Sequence, residues 1–135
     1  MRRVVVDTNV LVSAAIWGGK PRELLLKLLE HDVVISSPQL VAELSDVLAR
    51  RESLVGNVQT KRFVRDFVQQ AEMTKDTARF KLVLDDPDDN VILDAAYSGK
   101  ADYIVTGDKH LLALKEFKNT QIVTVKQMLN ILDET

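Results

Sequence analysis

The sequence predicts a three-layer α/β/α sandwich with a central, mainly parallel sheet. Three observations support this prediction: short β-branched runs alternate with segments of helical periodicity, the runs are continuously apolar, and Ser-Pro or Asp-Pro pairs stand where helices should begin. Continuously apolar strands are typical of a parallel sheet covered on both faces, and alternating strands and helices imply right-handed crossovers. The predicted strands are Val4–Val6, Val33–Ile35, Tyr103–Val105 and Ile122–Val125.

The predicted helices have recognisable starts and stops. Ser37 and Asp86 are N-cap residues that each precede a proline, and Gly99 is a stop signal. The expected helices run from Pro21 to about Glu30, from Pro38 to about Arg50, from about Val58 to Glu72 and from Pro87 to about Ser98, with short helices after Asp108 and Lys126.

Length and composition limit the possible classes of protein. We expect the 135 residues to form one domain, 1–135, and 46% hydrophobic with 28% charged residues is the balance of an ordinary globular chain. The absence of cysteine excludes a disulfide scaffold, a thiolate metal site and a cysteine nucleophile, and two histidines are too few for a histidine-rich zinc site. The net charge of −2 means that any contact with nucleic acid must be local.

The amino terminus briefly imitates a signal peptide, because Arg2 and Arg3 precede an apolar run. Asp7 and Asn9 interrupt that run, and no later segment is long enough to span a bilayer. We therefore expect a cytoplasmic protein with no membrane partner.

Two acids follow predicted core strands. Asp7 comes directly after the first strand, and Asp108 follows the strand that ends at Val105. Sites in open α/β sheets lie beyond the carboxyl ends of the strands, so both acids are expected on one edge. The alternative is that each acid simply caps the helix that follows it.

Two further acids lie on predicted helices. Glu43 falls at the border of an apolar arc, where the alternative is a surface residue paired with Arg50. In the run DPDDN, Asp89 shares a helical face with Ile92 and is the preferred candidate, and Asp94 is the second choice. The other acids of that run are expected to serve the start of the helix, since first-turn acids complement the helix dipole.

Converging carboxylates need a cation. Two like charges about 4 Å apart repel by roughly 4 kcal/mol at an effective dielectric constant near 20. Three or four acids at one point would therefore destabilise the fold unless protons or cations neutralise them. Oxygen ligands select hard cations, so the expected ion is Mg²⁺ or Mn²⁺.

Four segments, VVVDTNVLVSA, ELSDVL, DPDDNVILDAA and DYIVTGDKHLL, resemble in content and order a PIN domain of the kind found in prokaryotic toxin–antitoxin ribonucleases. The resemblance covers almost the whole chain. It implies that the catalytic and metal-binding acids are Asp7, Glu43, Asp89 and Asp108, with Asn9 and Thr106 as polar supports.

The chain departs from the family pattern at one place. The family often carries an acid two residues after its last aspartate, and here that place is His110. The DPDDN run also leaves open whether Asp86 or Asp88 shares the site.

The resemblance implies hydrolysis of an RNA phosphodiester. One or two bound ions would lower the pKa of a water that attacks phosphorus in line. Single-stranded RNA suits a narrow acidic cleft better than a duplex. An antitoxin partner and a homodimer are implied by the resemblance alone.

Basic residues are candidates for guiding the RNA: Arg50, Lys61, Arg65 and Lys109. The alternative is an ordinary solvated helix face. Trp17 either stacks on a base or packs ahead of the glycine turn that follows it.

Two other functions remain open. The first is a non-catalytic PIN-fold module that binds nucleic acid or a protein. The second is an aspartate-dependent phosphotransferase, which needs a second acid at the position of Asn9 and leaves Glu43 without a role.

Overall fold

A computed structural model of the chain describes residues 1–77, 79–80 and 83–134. Its strands are β1 (Arg3–Val6), β2 (Val33–Ser36), β3 (Glu72–Met73), β4 (Tyr103–Val105), β5 (Glu116–Phe117) and β6 (Thr120–Val123). Its helices are α1 (Thr8–Ile16), α2 (Gly19–His31), α3 (Pro38–Ala49), α4 (Glu52–Val55), α5 (Asn57–Gln70), α6 (Pro87–Ser98), α7 (Lys109–Leu114) and α8 (Val125–Asp133).

The described strands form one sheet of six strands in the order β3-β2-β1-β4-β6-β5. Neighbouring strands are parallel throughout, except that β5 runs antiparallel to β6. Helices pack on both faces of this sheet, which confirms the predicted fold class.

Side chains of each central strand alternate between two cores. Val4 and Val6 of β1 pack on the face covered by α1, α2, α3, α5 and α8. Val5 packs on the opposite face, which α6 and α7 cover together with Leu40 of α3. Because both faces are buried, the strand has no position for a solvent-facing residue, and this explains its unbroken apolar run.

The prediction for the last strand was wrong by two residues. The strand β6 ends at Val123 because Thr124 caps α8: its Oγ1 accepts a hydrogen bond from the Gln127 backbone N–H at 3.1 Å. Gln127 Oε1 in turn accepts from the Thr124 N–H at 2.9 Å, which completes a capping box. Val125 is therefore the first residue of α8 and no part of the strand.

The helix predicted from Pro21 begins two residues earlier, at Gly19. Arg22 fixes this start, because its guanidinium donates to the carbonyl oxygens of Ala14 and Ala15 in α1. Pro21 thus lies inside the first turn, where its missing N–H costs no hydrogen bond. The helix predicted to reach Glu72 ends at Gln70 instead. The elements α4, β3 and β5 were not predicted, since two to four residues show no periodicity.

The predicted caps of α3 and α6 are confirmed. Ser37 Oγ accepts from the Leu40 N–H at 3.3 Å, and Asp86 Oδ1 accepts from the Asp88 N–H at 2.9 Å. Gly99 ends α6 as expected.

The pairing of β1 with β4 positions the candidate site. Val6 is in register with Val105, so the next residues, Asp7 and Thr106, emerge side by side at the carboxyl edge of the sheet. β1 pairs with β2 on its other side, so the chain order reverses at β1, which is where α/β sheets form ligand crevices. Within the described residues, no helix has the length and apolar character that a membrane crossing requires.

Candidate metal centre

Asp7 is held at the carboxyl end of β1. Its Oδ2 accepts a hydrogen bond from Thr106 Oγ1 at 2.6 Å, and its Oδ1 accepts from the Asn9 backbone N–H at 3.3 Å. The second bond caps α1, so the capping interpretation of Asp7 is correct as well. Capping does not expose the carboxylate, which is 5% accessible. Asn9 supports Asp7 through its backbone, since the residue itself is exposed.

Thr106 connects Asp7 to Asp108. Its buried hydroxyl donates to Asp7 and accepts from the Asp108 backbone N–H at 3.0 Å. Asp108 Oδ1 accepts from the N–H groups of His110 and Leu111, at 2.7 and 3.4 Å, and thereby caps α7. One hydroxyl therefore fixes the relative position of two acids that follow neighbouring strands.

Asp89 lies in the first turn of α6 and is 4% exposed. Its Oδ2 is buried and has no hydrogen-bond partner in the part of the chain that the structure describes. Neighbouring polar residues have other roles: Asp86 caps α6, and Asn90 bonds both the N–H and the carbonyl of Leu84. The structure thus buries a carboxylate oxygen of Asp89 without giving it a donor.

Three of the predicted acids, Asp7, Glu43 and Asp89, have a raised pKa. Burial, followed by the charges of Asp88 and Asp7, raises the pKa of Glu43 to about 7. Burial, followed chiefly by the charge of Asp108, raises the pKa of Asp89 to about 6. Burial also raises the pKa of Asp7, with the charge of Asp108 adding to the effect. The charge of Asp108 thus acts on Asp7 and Asp89, and the charges of Asp7 and Asp89 act on Glu43, although the four acids come from separate segments.

His110 joins this group. Potential ligand atoms of Asp89, Asp108 and His110 all lie within 4.8 Å of one another. The sequence marked His110 only as a departure from the family pattern. Its position two residues after Asp108 was the one available signal.

Asp94, the second choice for the site, forms hydrogen bonds to the segment that follows β3. Its buried carboxylate accepts hydrogen bonds from the Thr77 N–H at 3.2 Å, the Thr77 hydroxyl at 2.6 Å and the Arg79 N–H at 3.0 Å. These bonds attach the chain that follows β3 to α6.

The four basic candidates are all exposed: Arg50, Lys61, Arg65 and Lys109. Two of them, Lys61 and Arg65, line a groove of about 270 Å³ between α3 and α5. Ser45 of α3 lines the same groove.

Trp17 does not pack ahead of the glycine turn, so that interpretation is wrong. Its side chain is 70% exposed, because it follows the last residue of α1 and the chain turns away at Gly18, which has a φ of 75°.

The donor set fits a hard divalent cation. The cluster offers carboxylate oxygens, which Mg²⁺ and Mn²⁺ prefer, including one buried Asp89 oxygen that has no hydrogen-bond partner among the described residues. A cation would also relieve the repulsion that raises the pKa values of Glu43 and Asp89.

A family model for the PIN domain matches residues 3–110, and the chain therefore belongs to the PIN domain family. The resemblance read from the four motifs is confirmed. A comparison with curated proteins finds no match.

Solved structures share the fold at low sequence identity. A chain of VapBC2 from Rickettsia felis, solved with a DNA fragment from its promoter, matches with 17% identity and a TM-score of 0.67, covering 90% of this chain and 98% of that one. PAE2754 from Pyrobaculum aerophilum matches with 18% identity and a TM-score of 0.66, covering 99% and 91%. VapC20 from Mycobacterium tuberculosis, described as a toxin that cleaves the sarcin–ricin loop, matches with 14% identity and a TM-score of 0.61, covering 87% and 98%.

The raised pKa values predict how stability depends on pH. Between about pH 4 and pH 7 the folded protein retains protons on Glu43 and Asp89 that the unfolded chain releases, so the metal-free protein should lose stability as the pH rises. Saturating Mg²⁺ or Mn²⁺ should raise the Tm more at about pH 7.5 than at about pH 5, because the acids are then ionised. Thermal unfolding at both pH values, with EDTA or with metal, measures this.

Asp89→Asn isolates the contribution of the site. It should raise the free energy of unfolding of the metal-free protein at about pH 7.5 by about 1–3 kcal/mol and reduce the stabilisation by metal. Asp46→Asn, which changes an exposed acid on α3, should alter neither quantity. Equal stabilisation of the Asp89→Asn variant and the unaltered protein by metal would contradict the assignment.

Proposed function

We propose that the chain is a metal-dependent endoribonuclease that hydrolyses phosphodiester bonds in single-stranded RNA, and that it is the toxin of a toxin–antitoxin pair. The observation that carries the proposal is that the charge of Asp108 raises the pKa of Asp7 and Asp89, while the charges of Asp7 and Asp89 raise the pKa of Glu43. Membership of the PIN family and the RNA-cleaving description of VapC20 support it.

In this proposal Asp7, Asp89 and Asp108 hold the ion, and Glu43 binds it directly or through water. A bound Mg²⁺ or Mn²⁺ would supply an activated water for in-line attack and positive charge for the leaving oxygen. Thr106 keeps the Asp7 carboxylate oriented, because its hydroxyl is already donated to Oδ2. Asn9 contributes its backbone N–H to the other oxygen of Asp7.

We further propose that Lys61 and Arg65 guide the RNA backbone along the groove between α3 and α5. Arg50 adds a further positive charge at the end of α3. Lys109 contacts the RNA next to Asp108. Phosphate contacts of this kind position the substrate and add affinity that salt weakens.

We propose that residues 1–135 form a single domain, although the family match ends at residue 110. Beyond that point β6 pairs with β4, and Met128 and Leu129 of α8 pack in the same core as Val4. An RNA substrate and an antitoxin partner also imply a cytoplasmic location.

Cleavage of single-stranded RNA tests the enzymatic proposal. The protein with Mg²⁺ or Mn²⁺ should cut a panel of labelled RNAs, and EDTA should stop it. Asp7→Asn should reduce kcat by at least about 100-fold, because it removes a charged ligand without changing the size of the side chain. Gel analysis of product formation over time gives the rates.

Two variants separate binding from chemistry. Lys61→Ala/Arg65→Ala should raise KM and weaken the salt dependence of binding while kcat stays within about twofold. Lys20→Ala/Lys27→Ala on α2 is the matched control and should leave both constants unchanged. Cleavage that persists in EDTA and in Asp7→Asn would contradict the mechanism, whereas RNA binding without any cleavage would favour the non-catalytic module.

The partner proposal rests on VapBC2 and on an exposed apolar groove. The groove measures about 530 Å³ and is lined by residues of α1, α2, α4 and α5, among them Leu26 and Leu54, which are 61% and 58% exposed. We propose that a segment of the antitoxin occupies it, and that the toxin itself is a homodimer.

Co-expression with the product of an adjacent gene tests the partner proposal. The two proteins should purify together, and Leu26→Asp should abolish the complex by placing a charge in the groove. Val83→Asp, at a residue that is 42% exposed and lies outside the groove, should not. Light scattering on the toxin alone measures its oligomeric state, and a complex unaffected by Leu26→Asp would refute the proposed groove.

A further inference from the structure

His110 places a ring nitrogen beside Asp89 and Asp108. Its backbone N–H donates a hydrogen bond to Asp108 Oδ1. The ring lies next to the same carboxylate, with Nδ1 3.7 Å from Oδ1. The side chain is 83% exposed, so the ring can turn without disturbing the core.

The distances suit a shared ion. Ligand atoms of Asp89, Asp108 and His110 lie within 4.8 Å of one another. Donors on opposite sides of a Mg²⁺-sized ion stand about 4.2 Å apart, because each lies about 2.1 Å from the metal. Separations of up to 4.8 Å are therefore close to those of ligands around one such ion.

The second observation is the buried Asp89 Oδ2, which has no hydrogen-bond partner among the described residues. A carboxylate oxygen that is desolvated and unpaired costs free energy unless a cation binds it. The site therefore combines a buried carboxylate oxygen that is unpaired among the described residues with a solvent-exposed ring nitrogen.

We propose that His110 is a direct ligand of the bound ion together with Asp89 and Asp108, and that this mixed nitrogen–oxygen set makes the centre select Mn²⁺ over Mg²⁺. The proposal rests on the metal centre of the proposed function. Mg²⁺ prefers oxygen and rigid octahedral geometry, whereas imidazole suits transition ions. At this position the family often carries an acid. A histidine in its place would lower the negative charge of the centre and favour Mn²⁺ over Mg²⁺.

The alternative role of His110 is an ion pair with Asp108, in which a protonated ring partly neutralises the acids. That role predicts that metal should bind more tightly after His110→Ala, because a competing cation has been removed. A ligand role predicts weaker binding. The two roles therefore change affinity in opposite directions.

Calorimetric titration of the full chain with MnCl₂ and with MgCl₂ tests the proposal. His110→Ala should weaken Mn²⁺ binding by at least about tenfold and Mg²⁺ binding by less than about threefold. His110→Asp should bind both ions with similar affinity, because it restores an oxygen donor. His31→Ala, which changes the other exposed histidine at the end of α2, should match the unaltered protein.

The outcomes separate this proposal from the nuclease proposal. Unchanged or tighter Mn²⁺ binding by His110→Ala overturns the ligand role, even if RNA cleavage is intact. Weakened Mn²⁺ binding with Mg²⁺ binding preserved supports it, even if no RNA is cut. Broadening of the His110 ring NMR signals by substoichiometric Mn²⁺, with His31 unaffected, gives a further readout that does not depend on activity.

Discussion

The negative charges of Asp7, Asp89 and Asp108 raise the pKa of neighbouring acids at the carboxyl edge of the sheet, and the rest of the candidate site follows from how the fold tolerates this repulsion. Two like charges about 4 Å apart would cost roughly 4 kcal/mol at an effective dielectric constant near 20. Protonation relieves part of this repulsion, since burial and neighbouring charges raise the pKa of Glu43 to about 7 and of Asp89 to about 6. A divalent cation would neutralise the negative charge that remains.

The same residues build the local structure and hold the charges. Asp7 and Asp108 are the N-caps of α1 and α7, so each of these helices begins at an acid of the candidate site. Thr106 joins both acids through one buried hydroxyl. In α6 these two roles belong to different residues: Asp86 caps the helix, and Asp89 has a buried oxygen with no partner in the part of the chain that the structure describes. Capping and cation binding are therefore complementary interpretations of these acids.

Much of the framework was predictable from local chemistry. The core strands, the caps at Ser37 and Asp86 and the stop at Gly99 depend on a few adjacent residues, so sequence patterns identify them. The shared edge of Asp7 and Asp108 follows from strand order in a parallel sheet.

Other features depend on contacts between distant segments and could not be predicted. The role of Asp94 requires the loop containing Thr77, seventeen residues away, to return to α6. The short strands β3 and β5 exist because neighbouring strands supply their hydrogen bonds. The approach of His110 to Asp89 needs the tertiary position of α7 against α6. The exposure of Trp17 likewise depends on the direction in which the chain leaves α1.

Anomalous diffraction at the manganese edge, from crystals grown with MnCl₂, shows whether the acids at the carboxyl edge of the sheet bind a cation. We expect an anomalous peak in direct contact with carboxylate oxygens of Asp7, Asp89 and Asp108. A peak bound elsewhere, or well-ordered carboxylates at this edge with no peak at saturating Mn²⁺, would contradict it.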